Sequence, residues 1–288
     1  MLPEITHRNG ADSANPHAAG GNLGAMSDVS DAIIHIGPRL AVALVLLTAL
    51  AAVVNHLSGS GMATATVRAV LRAILQLGVL ALVVTVVIDV LWASILFVLV
   101  MAAVAACTSA GRVTGRPGVI RPETMHAAVL CLIPVGAPTL VIVALLVATG
   151  VLPMTGLAII PTAGIMFGAA MNTTSLAGKH CLDSLAERHG EVEAAMSLGF
   201  LIREARLEIC RPAAATALIP ALDQTRSVGL VTIPGSFVGM VLGGASPAAA
   251  AAMQLFVLIA LLAVSAIASA LTAEFVARGL LARAVVAA

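Results

Sequence analysis

Charged and aromatic side chains are scarce in this chain of 288 residues. Charged residues make up 10% of it and aromatic residues 2%, and there is no tyrosine. Soluble globular domains contain about 25% charged residues, so this composition excludes that class. With 60% hydrophobic residues, the chain is expected to lie in a lipid bilayer. Basic residues are dispersed and aromatics for base stacking are nearly missing, which excludes nucleic acid as a partner.

Motifs for catalysis are missing as well. The Gly-Lys pair of a phosphate-binding loop occurs only at Gly178-Lys179, where His180 follows and the earlier glycine is absent. There is also no Gly-x-Ser-x-Gly and no His-Glu-x-x-His. We therefore expect no enzyme activity and no cofactor in this chain, so that any ATP would be bound and hydrolysed by a partner subunit.

Cysteine is limited to four residues, too few and too widely spaced for a disulfide framework or a zinc ribbon. Free thiols are the expected state. A metal site could be sought in one polar stretch that holds His180, Cys181, His189 and Cys210. Their spacing fits no standard site, so the metal ligands, if any, stay unknown.

Long apolar runs are abundant, and they predict an all-α membrane protein with seven spans, because a span needs ~20 apolar residues. The expected spans are residues 38–57, 67–88, 90–107, 125–149, 154–177, 229–244 and 248–275. Residues 1–35 are polar and lack the basic-then-apolar order of a signal peptide. They are expected to form a disordered leader, and residues 36–288 a single permease domain.

The stretch 207–222 is apolar enough to be an eighth span. Arg211, Pro212 and Pro220 interrupt it, which favours an interfacial helix that leads into the next span. Both interpretations stay open at this point. Counting the stretch as a span would reverse the membrane orientation of every later segment.

Lysine and arginine accumulate on one side of the seven-span topology. Thirteen of the fifteen lie in the loops 58–72, 108–124 and 178–228 or in the C-terminal tail. The positive-inside rule therefore predicts an outside N-terminus, a cytoplasmic C-terminus and a cytoplasmic loop over residues 178–228.

That loop contains Glu193-Ala194-Ala195, followed by Gly199 and Arg203. Glutamate and alanine are simply good helix formers, but their place in the only long cytoplasmic loop favours a short helix that ends in a glycine turn. The segment resembles the EAA loop with which transporter permeases dock onto an ATPase subunit. This resemblance assigns all five residues to coupling with the ATPase.

Further blocks carry a more specific resemblance. They are Gln76-Leu77 with Arg72, residues 168–172, Ile219-Pro220, Asp223, residues 228–235, Gly239, Gly243-Gly244, Pro247 and Gln254. Over roughly residues 65–272 the chain resembles the family of bacterial iron-export permeases of ABC transporters and plant aluminium-tolerance proteins. The resemblance implies a homodimeric, multi-pass permease of the cell membrane, driven by a cytosolic ABC ATPase and exporting iron or another metal.

Polar groups at membrane depth are costly unless they meet partners or water, so they are candidates for a translocation path. The candidates are Gln76, Met171, Asn172, Asp223 and Gln254. Hydrogen bonding to the carbonyls of their own helix is the alternative for the polar members of this set.

Gly235, Gly239 and Gly243 follow one another at four-residue steps, which predicts close packing of one helix against another. The alternative function for the whole chain is a self-powered secondary transporter or a channel for a small polar solute. Such a transporter needs intramembrane carboxylates or an inverted repeat, and the predicted spans contain almost no carboxylates.

Overall fold

A computed structural model of the protein describes residues 37–87, 90–115 and 122–283. Within these ranges the chain is helical, and its only strand-like pairing is an isolated bridge between Val228 and Thr232. The prediction of an all-α protein is confirmed. The predicted leader 1–35 lies outside the described residues, as do Arg116 and Arg121 of the predicted basic loop.

The described residues contain ten α-helices, numbered here in chain order. They are α1 Pro38–Leu57, α2 Ala63–Val87, α3 Leu91–Thr114, α4 Pro122–Ala148, α5 Gly156–Glu187, α6 His189–Ser197, α7 Ile202–Ala215, α8 Ile219–Ser227, α9 Gly235–Leu242 and α10 Pro247–Ala277. A single 3₁₀ turn, Thr216–Leu218, joins α7 to α8. The chain divides into two compact units, of which the first ends at Leu80 inside α2.

In the first unit, α1 and the start of α2 are joined by a tight turn. Gly59 and Gly61 both have positive φ there, and Asn55 Nδ2 donates to Thr66 Oγ1 at 2.9 Å across the turn. Pro38 opens α1 at a position where its missing N–H costs nothing. The helix has no buried residue, so its apolar side chains are available to lipid.

Six of the described helices are long and apolar enough to cross a membrane: α1, α2, α3, α4, α5 and α10. The second unit has large apolar side chains on its outer surface, such as Val141 and Leu145 on α4 and Leu255 on α10. A soluble protein does not expose a contiguous surface of this kind. The chain is therefore a multi-pass membrane protein.

Helices α3, α5 and α10 run in the same direction in the second unit. Gly178 of α5 meets both Val113 of α3 and Thr272 of α10, and all three lie near the C-terminal ends of their helices. A cluster of small buried residues, including Ala106, Ala177, Cys210 and Ala273, fills this end. We call it the α7 end, because α7 packs there against α5 and α10.

The predicted span over residues 229–244 differs from the structure. Only α9 is helical there, and its eight residues rise about 12 Å, far less than the roughly 30 Å of a hydrocarbon core. Residues 228–234 are not helical, because Pro234 removes a donor and Gly229 has a φ of +81°.

The region instead forms a discontinuous segment, defined here as α8, residues 228–234 and α9. The chain leaves α7 where Ser269 Oγ of α10 donates to the carbonyl of Ala214 at 2.9 Å, five residues before the segment begins. From there the segment runs antiparallel to α10. At its other end, Ser236 of α9 donates to Gln254 of α10. A chain that starts beside residue 269 and ends beside residue 254 covers a large part of the length of α10.

The predicted loop 178–228 is also more ordered than expected. Its first ten residues continue α5 to Glu187, and most of the remainder is α6, α7 and α8. Helix α7 buries Ala205, Ile209 and Cys210 on one face and is not among the six long apolar helices. The stretch 207–222 is thus divided between two helices, with Pro220 in the first turn of α8.

Candidate functional site

Helix α6 contains the predicted coupling residues Glu193, Ala194 and Ala195. Val192 anchors it, because this side chain is buried with Ala205 and Ile209 of α7. Glu193 and Ala194 are exposed, and Ala195 is half-buried against the same cluster. The helix therefore presents the predicted motif to the surroundings while its opposite face is fixed to α7.

Gly199 ends α6 in a left-handed conformation with a φ of +95°. The N–H of Phe200 donates to the carbonyl of Ala195 at 3.2 Å, and the N–H of Gly199 donates to that of Met196 at 3.0 Å. These two bonds are the Schellman pattern of helix ends, which favours glycine at this position. The turn expected at Gly199 is present, and it directs the chain back into α7.

An apolar tip follows from this turn. It consists of Met196, Leu198, Phe200, Leu201 and Ile202, all of which are exposed. Leu198 retains 81% of its accessible surface. On the polar surface of α6 and α7, such a patch is typical of a protein–protein contact. We call these five residues the α6 tip.

Arg203 does not belong to the exposed face of the motif. Its Nε and Nη2 donate to the two carboxylate oxygens of Glu274 at 2.6 and 2.8 Å, and Arg278 donates to the same carboxylate. Bidentate arginine–carboxylate pairs combine strength with fixed geometry. Arg203 therefore links the first turn of α7 to α10, a contact that spans 71 residues of sequence.

The predicted path residues fall into separate places. Gln76 lies on α2 in the first unit. Asn172 is exposed on α5 and accepts a hydrogen bond from Arg112 at 3.1 Å, while the backbone carbonyl of Met171 accepts from Ser109. These contacts join α5 to α3 near the α7 end.

Asp223 and Gln254 are both associated with the discontinuous segment. Asp223 is exposed on α8, with Arg226 of the same helix 3.7 Å away. Gln254 is buried on α10, where its Oε1 accepts from Ser236 of α9. Only Asp223 of these two lies on the segment, whereas Gln254 contacts it from α10.

Gly235 and Gly239 of α9, and Gly243 directly after its end, do not pack against another helix among the described residues. A Cβ at Gly235 or Gly239 would meet no described atom within 4 Å, and one at Gly243 would meet only the backbone of its own segment. The predicted packing face is therefore open. Its role in helix contacts stays a prediction.

A cavity of about 200 Å³ lies between α5, α9 and α10. Its lining includes Thr162, Met166, Ser236, Met240, Met253 and Gln254. Of these, only Gln254 is among the predicted path residues. No sequence pattern identifies the site, because its side chains come from three helices that are far apart in sequence.

The sequence profile of the uncharacterised protein family UPF0014 matches residues 38–281, most of the chain. The chain belongs to this family. The UPF0014 match includes α1 to α10 and thus the α6 tip, the discontinuous segment and the cavity. The resemblance inferred from the sequence blocks is confirmed.

Three curated relatives illustrate the relationship. The rice UPF0014 membrane protein STAR2 is 36% identical over 165 residues, 57% of each chain. Protein ALUMINUM SENSITIVE 3 of Arabidopsis thaliana is 38% identical over 122 residues, 42% of this chain and 45% of its own. The "Probable iron export permease protein FetB" of Escherichia coli is 30% identical over 128 residues, 43% of this chain and 48% of its own.

This UPF0014 chain spans about half the length of the curated relatives it matches. No solved structure matches it. The family and the membrane location are thereby fixed, and the partner and the cargo are matters of inference.

Proposed function

We propose that this chain is the permease subunit of an ATP-driven ABC-type transporter that exports iron or another metal, energised by a separate cytosolic ATPase. The observation that carries the proposal is the α6 tip. It is an exposed apolar patch at the end of a short helix whose other side is fixed to α7 and to Leu185 near the end of α5. The ATP would be bound by the partner, and this chain would hold no cofactor.

A coupling element must transmit movement as well as bind. Helix α7, which is continuous with the tip, is tied to α5 by the 2.6 Å hydrogen bond between His180 Nδ1 and Thr216 Oγ1. It is tied to α10 by the Arg203–Glu274 pair and to both helices by buried packing. A displacement of the tip would therefore move α5 and α10 together rather than bend a loose connection.

Charge supports a cytoplasmic location for this end. The basic side chains located there are Arg112, Lys179, Arg188, Arg203, Arg206, Arg211, Arg278 and Arg283. Membrane proteins concentrate lysine and arginine on the cytoplasmic side, where ATP is available to a partner. We therefore place the α7 end and the C-terminus in the cytoplasm and the N-terminus outside.

The discontinuous segment completes a seven-span topology in this proposal. Helices α5 and α10 end on the same side of the second unit, so the chain must cross between them to enter α10 from the other side. The only chain available is the discontinuous segment. Broken spans are typical of transporters, in which unwound backbone at membrane depth lines the cavity for the substrate.

Pairing of two copies is part of the proposal. Leu230 and Val231 in the break retain 90% and 83% of their accessible surface, beside the open glycine face of α9. Non-helical backbone at membrane depth is tolerated only when protein or a water-filled cavity covers it. A second copy placed against the discontinuous segment would supply that cover.

The proposal that the cargo is a metal rests on the relative that is named a probable iron export permease. The alternative, a self-powered secondary transporter or channel for a small polar solute, would need carboxylates at membrane depth. The acidic side chains of α5 and α10 are Asp183, Glu187 and Glu274, which all lie near the α7 end. This position favours the ATP-driven machine.

Co-purification tests the proposal. The membrane protein would be expressed with the ATPase encoded in a neighbouring reading frame, and the retained ATPase and the transported metal would be measured. Glu193→Arg reverses a charge on the exposed face of α6 and is expected to release most of the ATPase. Glu208→Arg is the matched control, because this exposed glutamate lies on α7 away from the tip. Transport without any ATPase, or equal retention in both variants, would exclude the proposal.

A further inference from the structure

The cavity between α5, α9 and α10 contains an unusual proportion of thioether groups. Met166, Met240 and Met253 are three of the nine methionines that the structure describes, and all three line this one space. Met166 lies on α5, Met240 on α9 and Met253 on α10. Three helices thus contribute one sulfur each to the same cavity.

Packing alone does not account for this arrangement. Protein interiors are close-packed, and methionine is the flexible side chain that fills irregular gaps. Here three such side chains surround about 200 Å³ that they leave unfilled. Met166 is buried and Met240 is half-buried, whereas Met253 is more exposed, so the three side chains line a space that can be reached from outside.

The chemistry of the lining selects a class of ligand. Thioethers are soft and uncharged donors that select ions such as Cu(I), whereas carboxylates and carbonyl oxygens suit hard ions. The cavity lining has no carboxylate, imidazole or thiol. Its oxygen donors are neutral, and Gln254 Oε1 is already held by the hydroxyl of Ser236. Such a set favours a soft monovalent cation over Zn²⁺, Mn²⁺ or Fe²⁺.

We propose that Met166, Met240 and Met253 form a binding site for a soft monovalent metal cation, of the Cu(I) or Ag(I) class, between α5, α9 and α10. The site would specify the class of metal that the proposed transporter moves, and this role of the ion as cargo rests on the proposed function. Because its ligands come from two continuous helices and from the discontinuous segment, a bound ion would connect elements that move relative to one another in a transport cycle. The ion would shift the equilibrium between two conformations of the transporter, because it would contact all three methionines in only one of them.

Methyl-labelled protein gives a readout that the four cysteines do not obscure. The intact chain would be labelled with [methyl-¹³C]methionine in detergent or nanodiscs, without ATPase, and titrated with Ag⁺. The resonances of Met166, Met240 and Met253 are expected to shift together along one saturation curve, after the cysteine thiols have taken up the first Ag⁺ ions. Those of Met154 and Met196, which lie outside the cavity, serve as internal controls.

Met166→Leu keeps the volume and apolar character of the side chain, a change that cores tolerate well. It is expected to weaken the Ag⁺-induced shifts of Met240 and Met253 by at least about tenfold in concentration, as loss of a metal-site interaction does. Met196→Leu is the matched control and is expected to change nothing at the cavity. Because neutral thioethers need not lose a proton, the affinity is also expected to stay constant between pH 6 and pH 8, a range in which imidazole sites weaken on acidification.

Absence of shifts at the three methionines in excess Ag⁺ would overturn the inference, as would equal shifts at Met154 and Met196. The result is independent of the coupling test, because it needs neither ATPase nor transport. Binding of Ag⁺ without association of an ATPase would support the metal site and reject the ATP-driven function. Association of an ATPase without binding of Ag⁺ would support the ATP-driven function and reject the metal site.

Discussion

Small residues determine how closely the spans approach at the α7 end. A Cβ on Gly178 would lie 2.7 Å from one methyl group of Val113 and 3.0 Å from the other. Val113 is itself buried, and its β-branched side chain is restricted at χ1. In contrast, a Cβ on Gly168, ten residues earlier in the same helix, would meet no atom within 4 Å.

Gly178→Ala is therefore expected to destabilise the protein. Overpacking costs about 1–3 kcal/mol, while replacing a helical glycine by alanine stabilises by about 1 kcal/mol, so the net loss is up to about 2 kcal/mol. Gly168→Ala gains the helix propensity of alanine without overpacking, so it is expected to be neutral or slightly stabilising. Unfolding midpoints of the purified variants in one detergent measure both, and equal shifts of the two would contradict the close approach of α5 to α3.

Residue-scale features were predictable from the sequence when their cause is local. The turn at Gly199 follows from a helix-forming motif that meets a glycine, and the structure places a left-handed glycine there. Arg203 was assigned to the same motif, yet its carboxylate partner, Glu274, lies on another helix. Neither spacing nor composition can identify such a pair, because the contact depends on how α7 and α10 pack.

At the scale of elements, the six long apolar helices were visible as hydrophobic runs. The discontinuous segment could not be recognised in this way, because apolar residues continue through its break and give the same hydrophobic run as a continuous span. Its local signals are Gly229 and Pro234, which end one helix and begin another. The methionine-lined cavity depends on this break, since Met240 reaches it from α9 alone. A straight helix over residues 229–244 would have hidden the site.

The link between α7 and α10 leads to an element-scale prediction. Arg203→Gln removes the bidentate bonds to Glu274 but leaves the buried face of α7 and the α6 tip intact. A partly exposed ion pair contributes roughly 1 kcal/mol or less, so the fold is expected to persist. The first turn of α7 would be freed from α10, and movement of the tip would be transmitted less completely.

Arg203→Gln is expected to retain the ATPase but to lower the metal moved per ATP hydrolysed by about fivefold, the factor that corresponds to 1 kcal/mol. Arg211→Gln is the matched control, because the ion pair of Arg211 among the described residues is with Glu208 of its own helix, at 3.8 Å. Reconstituted complexes, assayed for hydrolysis and transport in parallel, provide the ratio. A loss of ATPase binding would show instead that Arg203 belongs to the docking surface.

For the whole molecule, the decisive question is how many times the chain crosses the membrane. Helix α10 is long enough to span, so its two ends lie on opposite sides in any topology. The number of crossings then depends on the discontinuous segment. If it crosses, the α6 tip lies on the side of the C-terminal end of α10, as in the structure, where Arg203 binds Glu274. If it does not, the tip lies on the side of the N-terminal end and that pair cannot form.

Single cysteines can separate these two topologies, introduced one at a time into a chain whose four native cysteines are replaced by alanine. Leu198→Cys reports on the α6 tip, Ala248→Cys on the start of α10 and Ala282→Cys on the residues after its end, and all three positions are exposed. With seven spans and a cytoplasmic C-terminus, a membrane-impermeant maleimide is expected to label only Ala248→Cys in intact cells. Leu198→Cys and Ala282→Cys are expected to react only after permeabilisation. Labelling of Leu198→Cys and Ala248→Cys from the same side would show that the discontinuous segment does not cross the membrane. A cytosolic ATPase could then dock at the α6 tip only if that shared side were the cytoplasm.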